Sequence, residues 1–331
     1  MPRRNVADPV PGGRRGALQQ AAAAAQIACL LELTAPKPGN VGRGRDLPGL
    51  TYRAFLDSAT ALGQAFRDAP RGGVGRLILD AVRATRRRVG TNTNLGIILL
   101  LAPLVRAAQA PDEAPLRHRL RHVLAGLDRQ DARDAYTAIR LARPGGLGRV
   151  AAQDVRRPPT EALLECMRRA AGRDSIAREY ATGYRVTFRT ALPTLLRLIA
   201  RHVPTPLAIA QTYLTILARH PDTLIERRRG SRTASLVSRA AGEALQAGGF
   251  LTAEGQALAA LLDQKLRRAR PPLNPGTSAD ITVAALFVWL VQRPEPRSSR
   301  PGSSRARPRS RRAHRPAARR RATDRPRRRR R

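Results

Sequence analysis

Residues 16–34 read GALQQAAAAAQIACLLELT. After Gly16 nothing in this stretch breaks a helix, and Ala, Gln, Leu and Glu are among the residues that lose least on entering one. The stretch predicts a helix that stops at Pro36. The next fifteen residues, PKPGNVGRGRDLPGL (36–50), hold three Pro and four Gly and read as a long loop. Beyond them the same alternation recurs. Helical periods cover about 51–69, 73–88, 94–109, 113–126, 130–142, 160–171, 174–200, 205–219, 231–246, 252–269 and 277–291, with Gly183 and Pro193 as candidate breaks in the longest. Aromatic residues make up only 3 %, and alternating Val/Ile/Thr-rich runs are scarce, so sheet has little to build on. The expected fold is all-α: a single multi-helix domain over 15–292, after a flexible segment 1–14 and before a disordered, basic C-terminal tail, 293–331.

The formal net charge is +38, from 62 Lys and Arg against 24 Asp and Glu. The tail alone carries 18 Arg and two acidic residues, which leaves +22 on residues 1–292. A charge of this size favours polyanionic partners: nucleic acid, an anionic membrane or phosphorylated small molecules. Arg, Ala, Gly and Pro also share GC-rich codons, which offers a second origin for the bias. Nucleic-acid binding is expected through the tail only, because few aromatics are present to stack on bases. Cys29 and Cys166 sit in apolar helical patterns and read as buried thiols of a cytoplasmic protein. No apolar run approaches the ~20 residues a membrane span needs.

Only two of the 62 cations are Lys, and one of them, Lys37, lies in TAPKPGN (34–40). Prolines on both sides stiffen this loop, and Gly39 permits a close turn past a ligand. A compact ammonium presented this way suits a phosphate oxygen, although an exposed Lys after a helix stop would read the same. GTNTNLG (90–96) opens a helix with Thr93 or Asn94 as the cap, and its free N–H groups suit phosphate as well. In NPGTSAD (274–280), Thr277 or Ser278 caps and Asp280 enters the first turn, either complementing the dipole or ligating a metal that holds a polyphosphate. In GRDSIAREYATGY (172–184), Asp174 resembles a cap and is spaced to pair with Arg178. In HPDTLIERRRG (220–230), Asp222 and Thr223 start a helix. Each motif alone is equally the signature of a well-capped helix. His118 and His122 stand four apart with no acidic partner for a zinc site, and no Walker A or Rossmann fingerprint occurs.

The order of these segments is more specific than any one of them. LELTAPKPGNV (31–41), FLDSATALGQAF (55–66), GTNTNLGIILLLAPL (90–104), DSIAREYATGY (174–184), PDTLIERRRG (221–230) and NPGTSADITVAALFVW (274–289) together resemble the triphosphoribosyl-dephospho-CoA synthase family over about residues 20–290. The resemblance implies an all-α enzyme that moves the triphosphoribosyl part of ATP to the ribose 2′-hydroxyl of 3′-dephospho-CoA and releases adenine. It implies Mg²⁺ with the triphosphate, a carboxylate near the cationic anomeric carbon and a base for the acceptor hydroxyl. On this reading Lys37, Gly39, Asn40, Asn92, Thr93, Asn94, Thr277 and Ser278 bind the nucleotide. Asp174, Asp222 and Asp280 are metal candidates. Asp174, Asp222, Glu179 and Glu32 are candidates for the chemistry.

The chain departs from the decarboxylase-linked members in three places. They continue Pro-Lys-Pro-Gly with Leu-Val-Asp and then Gly-Ala-His, where this chain has NVGRGRDLPGL (40–50). Their Asn-Thr-His is Asn92-Thr93-Asn94, and their Arg-Gly-Gly segment is RRRG (227–230). In this it resembles the branch of archaea and one-carbon-metabolising bacteria, which implies a pterin-type acceptor as the alternative to dephospho-CoA.

Overall fold

In a computed structural model of the chain, residues 12–69 and 72–293 are described, and among them the fold is all-helical. α1 (Gly12–Thr34) runs through the Ala-rich stretch, and Ala21, Ala22, Ala25 and Ala28 are all buried. Small side chains let neighbouring helices approach its axis closely. α2 (Tyr52–Arg67) is capped by Thr51, whose hydroxyl accepts from Ala54 N, and packs on α1 with α3 (Val74–Val89) behind it. α4 (Leu95–Gln109), α5 (Leu116–Ala125), α6 (Arg129–Ala142), α7 (Leu163–Ala170), α8 (Ser175–Thr182) and α9 (Leu192–Ala200) follow. The second half adds α10 (Thr205–Arg219), α11 (Thr223–Arg229), α12 (Ser231–Gln246), α13 (Ala253–Arg268) and α14 (Gly276–Val291).

The last helix is the axis of the molecule. From Ile281 to Trp289 every residue of α14 is buried, so its hydrophobicity runs all round rather than along one stripe. It packs on α1, α4 and α10, and α1 in turn touches α4 and α10. α12 and α13 cover α10, and α7 packs beside α8. Tyr180 and Tyr184 tie α8 to the core by donating to Leu99 O (2.6 Å) and Leu100 O (2.9 Å) of α4.

The run expected over 174–200, with Gly183 and Pro193 as candidate breaks, is two helices, and the break falls at Gly183. α8 ends at Gly183, which takes a left-handed φ of +61°. The Glu179 carboxylate then accepts from Val186 N, Thr187 N and Thr187 Oγ1, and a wide turn over Thr187–Ala191 leads into α9. Pro193 does not interrupt α9; it lies in its first turn, where proline is tolerated. The compact unit ends at Arg293, which stacks 3.6 Å from the centre of the Trp289 ring. The expected tail and most of the expected flexible start lie outside the described residues, but Gly12–Arg14 already belong to α1. No helix among the described residues is long and apolar enough to cross a membrane.

Candidate active site

The loop 36–50 and the start of α14 form one structural piece. Gly39, at φ +74°, lies so close to the segment before α14 that a Cβ would come within 2.8 Å of Leu273 O and 2.9 Å of Pro275 Cδ. Its N–H donates to Asp263 Oδ1 of α13 (2.8 Å). Asn40 Nδ2 donates to Tyr213 OH (2.9 Å) and Pro275 O (3.4 Å). Arg267 completes the clamp: its Nε donates to Asp263 Oδ1 (2.8 Å) and its Nη2 to Asn40 O. The loop is braced against the protein and fixes where α14 begins.

The start of α14 opens on a cavity of about 300 Å³. The N-terminal turns of α4 (Asn92–Ile97), α8 (Asp174–Ala177) and α14 (Asn274–Asp280) all line it, together with Glu32 near the end of α1. Three helix N-termini directed at one space make it favourable for negative charge. Arg169, Arg173, Arg227 and Arg228 line it as well, with Arg173 next to the α8 cap Asp174 and Arg227 paired to it. A strap of residues 144–155 covers the remainder with Leu147, Val150 and Val155, above Ile139 and Met167. The cavity thus has a polar end and an apolar end.

Hydroxyls and one carboxylate hold the helix starts together. Asp222 caps α11 through Oδ1, which accepts from Leu224 N (2.9 Å) and Ile225 N (3.3 Å). Its Oδ2 accepts from Ser278 N (2.8 Å) and Ser278 Oγ (2.9 Å) of α14. Thr223 Oγ1 accepts from Ser175 N (3.0 Å) and lies 3.4 Å from Thr277 Oγ1.

The other carboxylates differ in how much of them is used. Asp174 caps α8 by accepting from Ala177 N (3.0 Å), and its other oxygen pairs with Arg227 Nη1 (2.5 Å). Glu32 is 5 % exposed, and its Oε1 lies 3.1 Å from Lys37 Nζ. Its second oxygen has no partner among the described residues. Burial pushes the Glu32 carboxyl up, and Lys37 draws it down again. Asp280 has no hydrogen-bond or ion-pair partner among the described residues. Its Oδ2 lies against Gly96 of α4, only 2.0 Å from where a Cβ would stand. Burial raises the Asp280 carboxyl well above the ordinary carboxylate range, the charges of Asp222, Glu32 and Asp174 reinforce the shift, and Arg227 opposes it. Asn94 Nδ2 and Asn274 Oδ1 are also buried without partners. Buried polar groups are normally satisfied, and these two atoms lie around one cavity with the half-buried Asp280 carboxylate.

Comparison with known proteins gives this arrangement a context. The sequence model of the ATP:dephospho-CoA triphosphoribosyl transferase family matches residues 18–299. The chain belongs to this family. Proteins of Salmonella gallinarum and Salmonella typhimurium that carry the name 2-(5″-triphosphoribosyl)-3′-dephosphocoenzyme-A synthase are 33 % identical over 111 residues. That match spans 33 % of the chain and 36 % of either Salmonella protein. A crystal structure from Archaeoglobus fulgidus, described as a triphosphoribosyl-dephospho-CoA synthase, superposes with a TM-score of 0.56 at 26 % identity, over 71 % of this chain and 98 % of that one.

In this member of the triphosphoribosyl transferase family the residues expected to bind or react divide into two sets. Glu32, Asn92, Thr93, Asn94, Asp174, Thr277 and Asp280 line the cavity. Lys37, Gly39, Asn40, Glu179, Asp222 and Ser278 do not. Gly39 makes its close approach to Leu273 and Pro275 rather than to a ligand. Glu179 closes the turn before α9. Asp222 already accepts four hydrogen bonds, so little of it remains for a metal. Lys37 turns inward, with its Nζ donating to Glu32 O (2.5 Å) and Ala35 O (3.2 Å). Asp174 pairs with Arg227, not with Arg178, which donates to Ala171 O and Gly172 O instead. At the start of α4 the capping oxygen is Asn92 Oδ1, which accepts from Leu95 N (3.2 Å), while Thr93 shares a hydrogen bond with Ser58 (2.5 Å). The sequence motifs did not mark Arg173, Arg227 and Arg228 as cavity cations. The signal was Gly145-Gly146, which lets the strap lie against Arg227 and Arg228.

Proposed function

We propose that the chain transfers the triphosphoribosyl group of ATP to a hydroxyl of 3′-dephospho-CoA, with adenine as the leaving group. The unpartnered carboxylate of Asp280, in one cavity with four arginines and the starts of three helices, is the observation that carries this reading. A half-buried carboxylate without a protein partner is costly to keep ionised, and a ligand that supplies a cation relieves it. The polyphosphate fits against Arg173, Arg227 and Arg228 and the exposed N–H groups of α4 and α14.

Mg²⁺ fits here as well. It favours one or two carboxylates together with substrate phosphates, and Asp280 with the orphaned Asn274 Oδ1 offers that set. Its contribution when bound would be to neutralise phosphate charge. Asp174 would join only by releasing Arg227, and Asp222 is saturated.

The chain's own groups account for the rest. Glu32 turns its unpartnered oxygen to the acceptor hydroxyl and takes its proton. The acceptor oxygen bonds to the anomeric carbon as the bond from that carbon to the adenine nitrogen breaks, with the electron pair leaving on adenine. Adenine takes a proton from solvent and Glu32 later returns one, so no net proton is consumed. Cationic character on the anomeric carbon is stabilised by the carboxylates at the polar end. Asn94 Nδ2 donates to an oxygen or ring nitrogen of the bound nucleotide.

Of the departures that raised a pterin-type acceptor, residues 40–50 give only Leu50 to the cavity, while Asn94, Arg227 and Arg228 line it. The test is adenine release from ATP and Mg²⁺ by the purified chain, with dephospho-CoA and separately with a pterin acceptor. Release that depends on dephospho-CoA supports the proposal. Release only with the pterin keeps ribosyl transfer and replaces the acceptor. ADP or AMP in place of adenine overturns it.

A further inference from the structure

Lys37 is one of only two lysines among 62 basic residues, yet it does not itself line the cavity. Three oxygens surround its ammonium: Glu32 O at 2.5 Å, Glu32 Oε1 at 3.1 Å and Ala35 O at 3.2 Å. The ammonium donates to the two carbonyls and pairs with the carboxylate. The two carbonyls lie at the end of α1, where a cation also complements the helix dipole. The side chain is 1 % exposed, so no room is left for a phosphate oxygen. The prolines at 36 and 38 set the loop's path, and the ammonium points back along it. An arginine in its place would be a planar fork, which cannot direct its donors at three oxygens clustered around one point.

We infer that Lys37 is a positioning residue for the transfer reaction, acting through Glu32, which lines the cavity and whose Oε1 it pairs with. The inference rests on the proposed function for the reaction concerned, and on the geometry for the pairing itself. Around Glu32 stand Lys37 from the loop, Cys29 on its own helix, Asp280 of α14 and Tyr213 of α10, and Lys37 is the only cation among them. Without it, burial and the Asp280 carboxylate both act against the charge on Glu32, and its side chain loses the contact that orients it.

The experiment is a two-residue cycle of Lys37→Met, Lys37→Arg, Glu32→Gln and Glu32→Gln/Lys37→Met. ATP affinity is measured by calorimetry, turnover by adenine release, and melting by fluorimetry. Glu32→Gln is expected to lower kcat on the order of 100-fold. Lys37→Met and Lys37→Arg are each expected to lower kcat about tenfold or more, with ATP affinity and KM within roughly threefold of the parent. The double variant is expected to turn over no slower than Glu32→Gln alone, and to melt above Lys37→Met, because it buries no unpaired charge. ATP affinity that falls tenfold or more in Lys37→Met, with kcat unchanged, would make Lys37 a phosphate contact and overturn the inference. Losses that multiply in the double variant would overturn it too. If the parent chain releases no adenine, the proposed function fails separately, and the affinity and melting arms still decide whether Lys37 serves Glu32 or the nucleotide.

Discussion

Asp280 concentrates the conflict between stability and function in one carboxyl group. Gly96 gives it space that even an alanine methyl would remove, and no protein donor answers it. Replacing it with the isosteric amide removes the charge and keeps the shape. Asp280→Asn is expected to stabilise the ligand-free protein by about 1–2 kcal/mol, seen as a rise of several degrees in melting temperature. The same change is expected to lower adenine release on the order of 100-fold. A lower melting temperature would mean that the carboxylate holds the fold instead of a ligand. The residue type was legible from the sequence: an Asp one turn into a helix that follows Pro-Gly. Its lack of a partner was not, because that depends on Gly96, 184 positions earlier. Lys37 shows the same gap from the other side. Its rarity marked it correctly as special, but the direction of its side chain is set by Glu32, on the preceding helix, and not by the prolines beside it.

The helices themselves were largely readable, because their signals are local: apolar periodicity inside and Pro, Gly or a capping side chain at the ends. At 174–200 the break at Gly183 was legible, but the shape of the turn after it has a tertiary cause. Gly183 ends α8, but the wide turn that follows is shaped by three hydrogen bonds to the buried Glu179, which no propensity reports. The end of α10 gives a prediction at this scale. His220 terminates that helix, a position whose dipole favours an imidazolium. Burial outweighs this, and with Arg178, Arg219 and Arg185 nearby the group is held below its ordinary value of 6.5. The folded chain therefore binds its proton less readily than the unfolded chain. The His220 contribution is complete above pH 6.5 and is lost as pH falls from there through the lowered value. His220→Gln is expected to flatten the fall in unfolding free energy between about pH 7 and pH 5, measured by urea denaturation. An unchanged slope would show that other groups carry the acid sensitivity.

For the whole molecule, the site exists because four segments far apart in sequence arrive at one place: the end of α1 and the starts of α4, α8 and α14. α14 is the common partner. It is the last helix described, its start is braced by Gly39 and Asn40 from the loop after the first helix, and Trp289 near its end carries Arg293. The compact unit is therefore closed by contacts between the first and last thirds of its sequence and is complete at Arg293. Sixteen of the 38 net charges lie after Gln292, and the cavity residues among those described all lie before it. A chain ending at Arg293 is accordingly expected to melt within about 2 °C of the full chain, a difference of well under 1 kcal/mol, and to keep its rate of adenine release. Its affinity for duplex DNA at low salt is expected to fall sharply, with a shallower dependence on salt concentration, since fewer cations remain to displace counterions. DNA affinity and salt slope that survive the truncation would place the polyanion-binding charge on the helices themselves, and a loss of adenine release would mean that the arginines of the cavity do not hold the triphosphate alone.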